Sequence, residues 1–353
     1  MSIVAIARPD IRALQPYSSA RMEASGGTVL LNANESPWPA SAAAGLNRYP
    51  DPQPAALVAR MAQLYCIDPA QLLVGRGSDE AIDLLVRAFC AAGEDAIAIC
   101  PPTFGMYAVS ARIQGAAVIE VPLTGEFRLD ADALLAAVTP RTKLVFLCSP
   151  NNPTGAVVPG SIVARIAREL TDRALVVVDE AYMEFAGDVS AMSLLAHCSN
   201  VAVLRTLSKA YALAGARIGA LVAQADVIAL LRRIQAPYPL PLPCVEAALA
   251  ALTPAAREEA AAHIALTVSE RTKLATLLAT LPNVRAVLPS AANFLCVRLD
   301  NAALTYRRLL DRGVVVRNVG AYPGLTNCLR VSVGTPQENA SLMCALNARE
   351  AAA

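Results

Sequence analysis

Between about residues 55 and 235, short and almost wholly apolar runs alternate with stretches that have helical spacing. Residues 55–66 predict one helix, and residues 79–90 predict another with Ser78 as its N-cap. The apolar runs lie at 96–100, 116–121, 143–148, 174–179, 200–205 and 218–223. Continuous apolar strands that are separated by helices predict a mainly parallel sheet covered on both faces.

The pattern changes at a cluster of four prolines, Pro237, Pro239, Pro241 and Pro243, which predicts a break between two units. A long helical region at about 244–279 follows the cluster. Strand-like runs then lie at 292–299, 313–317 and 327–333, and the last predicted element is a helix from Pro336 to about residue 350. We therefore expect three parts: an N-terminal arm (1–30) that packs with the small domain, a large α/β domain (31–240) and a small α+β domain (241–353).

The composition excludes several classes of protein. Of the 353 residues, 55% are hydrophobic and 17% are charged, which is unlike a long disordered chain. The 30 basic residues nearly balance the 29 acidic ones and form no basic block, so we expect no nucleic-acid partner. Charged residues or prolines interrupt every apolar run before it reaches the ~18 residues of a membrane span, so we expect no membrane insertion.

The nine cysteines are scattered along the chain and form no C-x-x-C pair. Most of them lie in apolar stretches, so we interpret them as buried free thiols in a reducing compartment. The two histidines, His197 and His263, are too few for a His-rich metal site, and we expect no metal. Residues 1–4 show no basic segment ahead of an apolar core, so no secretory signal is predicted. The expectation is a soluble cytoplasmic protein.

Polar side chains follow three successive apolar runs. Asn152 comes shortly after the third run, Asp179 ends the fourth, and Lys209 comes shortly after the fifth. The three residues are spaced by about the length of one βαβ unit. Because ligands bind at the carboxyl ends of the strands in an open parallel sheet, we expect these side chains to face one crevice.

An Asn, an Asp, a Tyr and a Lys at these strand ends suit pyridoxal phosphate. Lys209 would form the Schiff base, and Asp179 would hold a proton on the pyridine nitrogen, which makes the ring an electron sink. Asn152 and Tyr182 would donate hydrogen bonds to the phenolate oxygen of the ring. Taken singly, each feature has an ordinary structural explanation, such as a turn, a helix cap or a surface lysine. Their common order and spacing favour the cofactor.

The phosphate group of the cofactor needs a site of its own. Ser208 is adjacent to Lys209, and Arg217 lies further along the same segment. Residues 75–80 form a glycine turn that opens a predicted helix, where free backbone N–H groups and the helix dipole favour phosphate. We expect the backbone amides of this turn to bind the phosphate, rather than its two acidic side chains.

Three motifs in this order resemble those of the fold type I aminotransferases, and most closely those of the histidinol-phosphate aminotransferase family. They are S-P-N-N-P-T-G at 149–155, V-D-E-A-Y at 178–182 and T-L-S-K-A-Y-x-L-A-G-x-R-x-G at 206–219. Segments that resemble further motifs of this family lie at 16–21, 31–35, 48–51, 75–80, 101–107, 322–324 and 329–335. The resemblance therefore extends over nearly the whole chain.

The resemblance implies a large domain with a mainly parallel seven-stranded sheet between helices, a smaller α+β domain, and a homodimer that shares its active sites. It implies that Lys209 is also the base of a 1,3-proton shift and that Phe104 stacks on the pyridine ring. The cofactor phosphate would be surrounded by Ser78, Asp79, Thr206, Ser208 and Arg217. Tyr49 would reach the cofactor phosphate of the other subunit.

Arg330 matches the arginine that binds the substrate carboxylate across fold type I. Its guanidinium would bind the α-carboxylate of glutamate in one half-reaction and the phosphate of histidinol phosphate in the other, since both present oxygens to its fork. Arg317, Tyr17 and Asn34 are further expected substrate contacts, with a surface arginine and a packed aromatic as the alternatives for the first two. Trp38 departs from the family pattern in a loop that lines the substrate entrance.

The activity that the resemblance implies is a transamination in histidine biosynthesis. L-Histidinol phosphate and 2-oxoglutarate would give imidazole acetol phosphate and L-glutamate. An aromatic amino acid aminotransferase and a threonine-phosphate decarboxylase of the same fold remain alternatives. A pyridoxal-phosphate-sensing regulator is disfavoured, because such proteins carry a DNA-binding domain ahead of the cofactor domain, whereas the motif at Asn34 lies near the start and the net charge is +1.

Overall fold

The computed structural model describes residues 2–16, 29–40 and 45–347. The helices within these ranges are α1 (Pro9–Ala13), α2 (Ala55–Tyr65), α3 (Ser78–Phe89), α4 (Met106–Gln114), α5 (Ala131–Ala137), α6 (Gly160–Glu169), α7 (Ala225–Arg232), α8 (Leu242–Ala251), α9 (Pro254–Ala279), α10 (Ala302–Asp311) and α11 (Pro336–Asn347). The strands are β1 (Leu72–Gly75), β2 (Ala96–Ile99), β3 (Ala117–Glu120), β4 (Thr142–Cys148), β5 (Leu175–Asp179), β6 (Val201–Thr206), β7 (Gly219–Val222), β8 (Val284–Val287), β9 (Phe294–Leu299), β10 (Arg317–Asn318) and β11 (Cys328–Ser332).

The large sheet has seven strands in the order β1-β7-β6-β5-β4-β2-β3. The pairs from β3 to β6 are parallel, whereas β7 runs antiparallel to both β6 and β1. The carboxyl ends of β1, β4, β5 and β6 therefore meet at one edge of the sheet, together with the amino end of β7. This arrangement confirms the predicted mainly parallel, seven-stranded sheet.

The central strands are buried on both faces, because successive side chains of a strand point to opposite sides of the sheet. Along β4, Val145 and Leu147 join a core with α2, α6 and α8. Leu144 and Phe146 join a second core with α3, α4 and α7. The helices supply matching apolar faces, and Phe89 of α3 is completely buried.

The small domain contains a four-stranded antiparallel sheet in the order β10-β11-β9-β8. Helices α9, α10 and α11 cover one face of it, where Leu274, Leu309 and Leu342 pack against Leu295 and Leu329. The other face of β9 and β11 is turned toward the large domain. This sheet and its helices confirm the predicted α+β domain.

Four local predictions differ from the structure. The four-residue strand β1 is absent from the predicted apolar runs. Gly77 occupies the N-cap of α3, and Ser78 is instead the first helical residue. The helical region at 244–279 is interrupted, since α8 ends at Ala251 and α9 begins at Pro254. The run at 313–317 forms no more than the two-residue strand β10.

The N-terminal segment does not pack as expected. Ile3 is 1% exposed and lies in the large-domain core with residues of α3 and α7. Arg8 donates a 3.1 Å hydrogen bond to the carbonyl oxygen of Arg87 on α3. Residues 2–14 therefore lie on the large domain and not on the small one, because their apolar side chains fill a gap between two large-domain helices. Residues 17–28 of the expected arm lie outside the described residues.

The predicted boundary between 240 and 241 lies too early. Val245 and Ala248 of α8 belong to the large-domain core together with Leu57 of α2, whereas Leu274 of α9 belongs to the small-domain core. The change of core falls between α8 and α9. The proline-rich segment ahead of α8 is thus a connection within the large domain.

Two expectations from composition can be compared with the structure. Six of the nine cysteines are buried free thiols, but Cys66 and Cys344 are exposed and Cys244 is partly exposed, so burial was wrongly predicted for these. Within the described ranges, the helices are too short or too polar to cross a membrane.

Candidate active site

A cavity lies at the carboxyl edge of the large sheet. Ten of the side chains predicted to form the site line it: Ser78, Asp79, Phe104, Asn152, Asp179, Tyr182, Thr206, Ser208, Lys209 and Arg217. Gly77 and Cys148 are also part of the lining. The strand ends thus bring together residues from motifs that are far apart in the sequence.

Asp179 is the last residue of β5 and is 3% exposed. Its Oδ2 accepts a 2.6 Å hydrogen bond from the hydroxyl of Tyr107, and its Oδ1 accepts one of 3.1 Å from the backbone N–H of Ala181. Burial raises the pKa of Asp179 to about 6, although these two hydrogen bonds act in the opposite direction. A buried carboxylate of this kind is stabilised by a cationic partner in the cavity.

The neighbouring Glu180 has a different environment, because side chains alternate between the two sides of a sheet. Its carboxylate accepts hydrogen bonds from Arg205 Nη1 at 2.9 Å and from the Ser190 hydroxyl at 2.5 Å. Arg205 also pairs with Glu184 at 2.7 Å. Since Arg205 belongs to β6, this buried network ties the ends of β5 and β6 together behind Asp179.

Lys209 follows β6, and its Nζ lies 5.9 Å from the ring centre of Tyr182. Burial, followed by the positive charges of Arg330 and Arg217, lowers the pKa of Lys209. The amine is therefore more readily available in its neutral, nucleophilic form than that of an ordinary surface lysine. The Tyr182 hydroxyl stays protonated, because burial raises its pKa.

The turn between β1 and α3 approaches the start of β7 closely. A Cβ atom on Gly219 would lie 2.4 Å from the carbonyl carbon of Gly77 and the nitrogen of Ser78, so glycine is required there. Gly77 has a φ of +77°, and a Cβ atom on it would lie 2.7 Å from Arg217 Nη2. No side chain caps the first turn of α3 at Gly77, so its backbone N–H groups can bind an anion.

The charged side chains around this turn are arranged in pairs. Arg217 Nη2 lies 3.1 Å from Asp79 Oδ2, and both side chains are about half exposed. Glu80 is turned back toward Arg76, whose backbone N–H donates to it at 2.7 Å and whose guanidinium pairs with it at 2.8 Å. The two carboxylates of the turn are therefore both offset by arginines.

Thr206 and Ser208 form a local pair at the end of β6. The Thr206 hydroxyl donates a 2.9 Å hydrogen bond to Ser208 Oγ and accepts one of 3.1 Å from the Ser208 backbone N–H. These bonds fix the backbone immediately ahead of Lys209.

Arg330, on β11 of the small domain, reaches the edge of the cavity. Its Nη1 donates a hydrogen bond to Oδ1 of Asn152, and its guanidinium carbon lies 5.3 Å from the ring centre of Phe294. The same ring packs edge-on against Tyr182, with 5.1 Å between ring centres. Phe294, which is 2% exposed, thus contacts a small-domain arginine and a large-domain tyrosine at once.

Arg317 does not line the cavity. It is exposed on β10, directly across the antiparallel pair from Arg330, so the two side chains share one face of the small sheet. Tyr17 lies outside the described residues.

Asn34 and Tyr49 line a separate hollow beside Pro241 and Pro243. Tyr49 is stacked on Tyr238 there, with 4.4 Å between ring centres. Within the described ranges of this chain, the two predicted residues are therefore not part of the cavity that holds Lys209.

Two aromatic residues that contact the site were not predicted. Tyr107 belongs to α4 and Phe294 to β9, where buried aromatic side chains are usually ordinary core residues. The available signal for Tyr107 is its place at the end of the motif at 101–107, which also holds Phe104; the two rings make an edge contact at 5.6 Å. Phe294 has no comparable signal, because its contact with Arg330 depends on the register of β9 and β11.

A family model described as aminotransferase class I and II matches residues 25–346. The chain therefore belongs to the family of class I and II aminotransferases. Within the curated proteins it is 53% identical to a histidinol-phosphate aminotransferase from Stenotrophomonas maltophilia (strain R551-3), over 99% of this chain and 98% of that protein.

Solved structures show the same fold. A histidinol-phosphate aminotransferase from Sinorhizobium meliloti, in complex with pyridoxal-5'-phosphate, aligns with a TM-score of 0.76 and 30% identity over 85% of this chain and 82% of that chain. An L-threonine-O-3-phosphate decarboxylase from Porphyromonas gingivalis aligns with a TM-score of 0.71 and 23% identity over 85% and 90% of the two chains. The second likeness concerns the fold alone, so the fold does not distinguish transaminases from decarboxylases.

Proposed function

We propose that this chain is a transaminase that acts on L-histidinol phosphate and 2-oxoglutarate and forms imidazole acetol phosphate and L-glutamate, in L-histidine biosynthesis. The proposal is carried by the convergence of Asn152, Asp179, Tyr182 and Lys209 in one cavity of a chain that is 53% identical to a histidinol-phosphate aminotransferase. That identity, which spans nearly both full lengths, favours this substrate pair over aromatic amino acids and threonine phosphate.

The cavity has the features that pyridoxal phosphate requires. At one end, Gly77 lies at a helix start that suits a phosphate, and a Cβ atom on it would collide with Arg217. The phosphate would be surrounded by Ser78, Asp79, Thr206, Ser208 and Arg217. At the other end, the buried Asp179 would pair with the protonated ring nitrogen. Phe104 would lie against the ring, and Asn152 and Tyr182 would hydrogen-bond its phenolate oxygen.

Each polar residue of the cavity has a defined role in the proposed reaction. The cofactor supplies, when bound, an electron sink that stabilises negative charge at the substrate carbon. Lys209 is the covalent attachment point and the general base, because its lowered pKa makes the neutral amine available. Its Nζ takes a proton from one substrate carbon and returns it at another position. Asp179 would stay ionised and hold the proton on the ring nitrogen. Tyr182 and Asn152 would donate hydrogen bonds to the negatively charged phenolate oxygen of the ring.

Arg330 is proposed to bind the anionic end of both substrates. A guanidinium fork accommodates a carboxylate and a phosphate with the same pair of donors. The hydrogen bond to Asn152 holds this fork at the cavity edge before substrate arrives. Further substrate contacts would come from Arg317, Asn34 and Tyr17.

We further infer a homodimer with shared active sites. Residues 29–40 and 45–49 expose several large apolar side chains, among them Leu31 at 86% and Trp38 at 78%, and a second copy of the chain would cover them. Tyr49, half exposed in the hollow beside Asn34, would then reach the phosphate in the cavity of the other subunit. A cytoplasmic location remains a prediction from composition.

The direct test adds L-histidinol phosphate, without any keto acid, to purified protein loaded with pyridoxal phosphate. We expect loss of the visible absorption of the bound cofactor and the formation of an equal amount of imidazole acetol phosphate. L-Histidinol, which lacks the phosphate, is the matched control. It should react far more weakly, because it offers Arg330 no anionic group.

Three other results would contradict the proposal in different ways. A higher kcat/KM for phenylalanine or tyrosine than for histidinol phosphate would indicate an aromatic aminotransferase. Release of carbon dioxide from threonine phosphate would indicate a decarboxylase. A protein that cannot be loaded with pyridoxal phosphate would overturn the cofactor and the catalytic roles together.

A further inference from the structure

The buried partner of Asp179 is a tyrosine outside the polar strand ends. Tyr107 is completely buried, and its hydroxyl donates the 2.6 Å hydrogen bond to Asp179 Oδ2. Its ring stacks on Phe146 at 4.7 Å between ring centres and meets the edge of Phe104 at 5.6 Å. Aromatic contacts on two sides leave the hydroxyl little freedom to point elsewhere.

Toward Asp179, the hydroxyl of Tyr107 is the donor at working pH. Burial, followed by the charge of Asp179, raises the pKa of the Tyr107 hydroxyl well above its ordinary value, so the proton stays on the phenol. A hydrogen bond donated to a carboxylate favours the ionised form of that carboxylate. The donor therefore opposes the effect of burial on Asp179.

Few groups around Asp179 favour its ionised form. The titratable and charged groups that face it are Asp79, Tyr107, Cys148, Glu180, Tyr182 and Lys209. The two acidic groups among them raise the pKa of Asp179, and burial raises it further. The thiol of Cys148 is neutral, since burial raises its pKa to about 12. Tyr107 is the first of the hydrogen-bond donors that lower the pKa of Asp179, ahead of the backbone N–H of Ala181.

We propose that Tyr107 is a positioning residue that keeps the Asp179 carboxylate ionised and aimed into the cavity, and that it thereby sets the lower pH limit at which the empty site captures pyridoxal phosphate. The proposal rests on the proposed function, because it assumes the pairing of Asp179 with the ring nitrogen. A protonated Asp179 must lose its proton before it can pair with a pyridinium. Affinity should therefore fall as pH falls through the pKa of Asp179 in the empty site.

The test compares wild-type apoprotein with the Tyr107→Phe variant by titration with pyridoxal phosphate from about pH 5 to about pH 9. The wild-type affinity should fall below about pH 6, where Asp179 becomes protonated. In the variant the fall should begin at a higher pH, with affinity weakened about tenfold near neutral pH. At the alkaline end the two curves should converge, because Asp179 is ionised in both proteins.

Tyr182→Phe is the matched control, since it removes a second hydroxyl from the same cavity without removing a hydrogen bond to Asp179. Its loss of affinity should be the same at every pH. In an Asp179→Asn background the acceptor of the Tyr107 hydrogen bond no longer titrates, so adding Tyr107→Phe should leave the pH profile unchanged. A shift that persists in that background would contradict the proposal.

A Tyr107→Phe profile that is unchanged, or lowered equally at every pH, would also contradict the role of Tyr107. That result is distinct from a failure of the proposed function, in which the wild-type protein itself would not bind pyridoxal phosphate. If Tyr107→Phe does not fold, incorporation of 3-fluorotyrosine at position 107 provides the opposite test. The more acidic phenol is a stronger donor, so the fall in affinity should move to lower pH; no movement would overturn the proposal.

Discussion

The proposed cofactor half and substrate half of the active site are assembled in different ways. The side chains proposed to hold the cofactor converge at one edge of the large sheet and line a single cavity. The proposed substrate contacts come from separate places: Arg330 and Arg317 from the small sheet, and Asn34 from the segment ahead of α2. The first half depends on the topology of one domain, and the second depends on how several parts of the protein meet.

This difference explains which site residues can be placed from sequence motifs alone. In a parallel sheet, the residue after a strand lies at the carboxyl edge whatever the details of packing. Asp179 and Lys209 are therefore placed near each other by topology. The position of Arg330 relative to Asn152 depends instead on the interface between the two domains. Substitutions in each half can test whether the cofactor half and the substrate half affect different properties of the reaction.

The largest effect is expected in the cofactor half, from Lys209→Ala. Loss of the attachment amine and general base should lower the rate by about 10⁴-fold and abolish the covalent adduct trapped by borohydride. Lys273→Ala, which removes an exposed lysine on α9, is the control and should retain both. A Lys209→Ala protein that still forms the reducible adduct and turns over would show that another amine serves this site.

In the substrate half, Arg330→Ala should raise KM for both glutamate and histidinol phosphate by about 10–100-fold, because a charge-assisted hydrogen bond contributes about 1.5–3 kcal/mol. Steady-state kinetics with each substrate would measure this. The control is Arg298→Ala, whose guanidinium donates to the carbonyl oxygens of Gly324 and Thr326 and should leave KM unchanged. A rise for one substrate only would contradict the double use of Arg330.

Tyr49 offers a test of whether the halves extend across subunits. Tyr49→Phe should weaken pyridoxal phosphate binding about tenfold, through loss of one hydrogen bond to the phosphate. Hybrid dimers that pair a wild-type subunit with a Tyr49→Phe/Lys209→Ala subunit should keep this defect in the active site that retains Lys209. Hybrid dimers that pair a Tyr49→Phe subunit with a Lys209→Ala subunit should bind pyridoxal phosphate normally in the active site that retains Lys209. The reverse pattern would place Tyr49 in the site of its own subunit.

The smallest effect is expected from Phe294→Leu, which removes the ring between the two halves. The loss of a cation–π contact of about 0.5–2 kcal/mol should raise KM for both substrates roughly threefold. In an Arg330→Ala background the same substitution should have no further effect on KM. Phe89→Leu, in the large-domain core, should lower the unfolding temperature without changing KM. A similar result for Phe294→Leu would limit Phe294 to a structural role.

The sequence predicts the large sheet well, because its strands are apolar runs that end in polar residues. Asn152, Asp179 and Lys209 follow from that pattern alone. The boundary between the domains is harder to predict from the sequence. The prolines at 237–243 indicate a break in secondary structure, but they do not show into which hydrophobic core α8 packs. The packing of Ile3 on α3 and α7 is likewise a tertiary contact with no local signal.

The two residues that the sequence did not reveal act through contacts between elements. Tyr107 ends the motif at 101–107, but that motif does not indicate that its hydroxyl reaches Asp179 across the gap between α4 and β5. Phe294 begins a buried strand, and its contacts with Tyr182 and Arg330 arise only when the domains meet. The contacts of such side chains can be found only from the three-dimensional structure, since hydrophobic periodicity indicates that a residue is buried but not which residues it contacts.

The antiparallel direction of β7 restricts the length of the connection between β6 and β7. Because β7 runs against β6, the chain leaves the sheet edge at Thr206 and re-enters the same edge at Gly219. A parallel β7 would have required a crossover, and Arg217 would then lie at the opposite edge. Lys209 and Arg217 instead lie on one short connection between β6 and β7, and both ends of this connection are anchored in the sheet. Insertions and deletions, which exposed loops usually tolerate, should therefore be excluded between Thr206 and Gly219 even where individual side chains can vary.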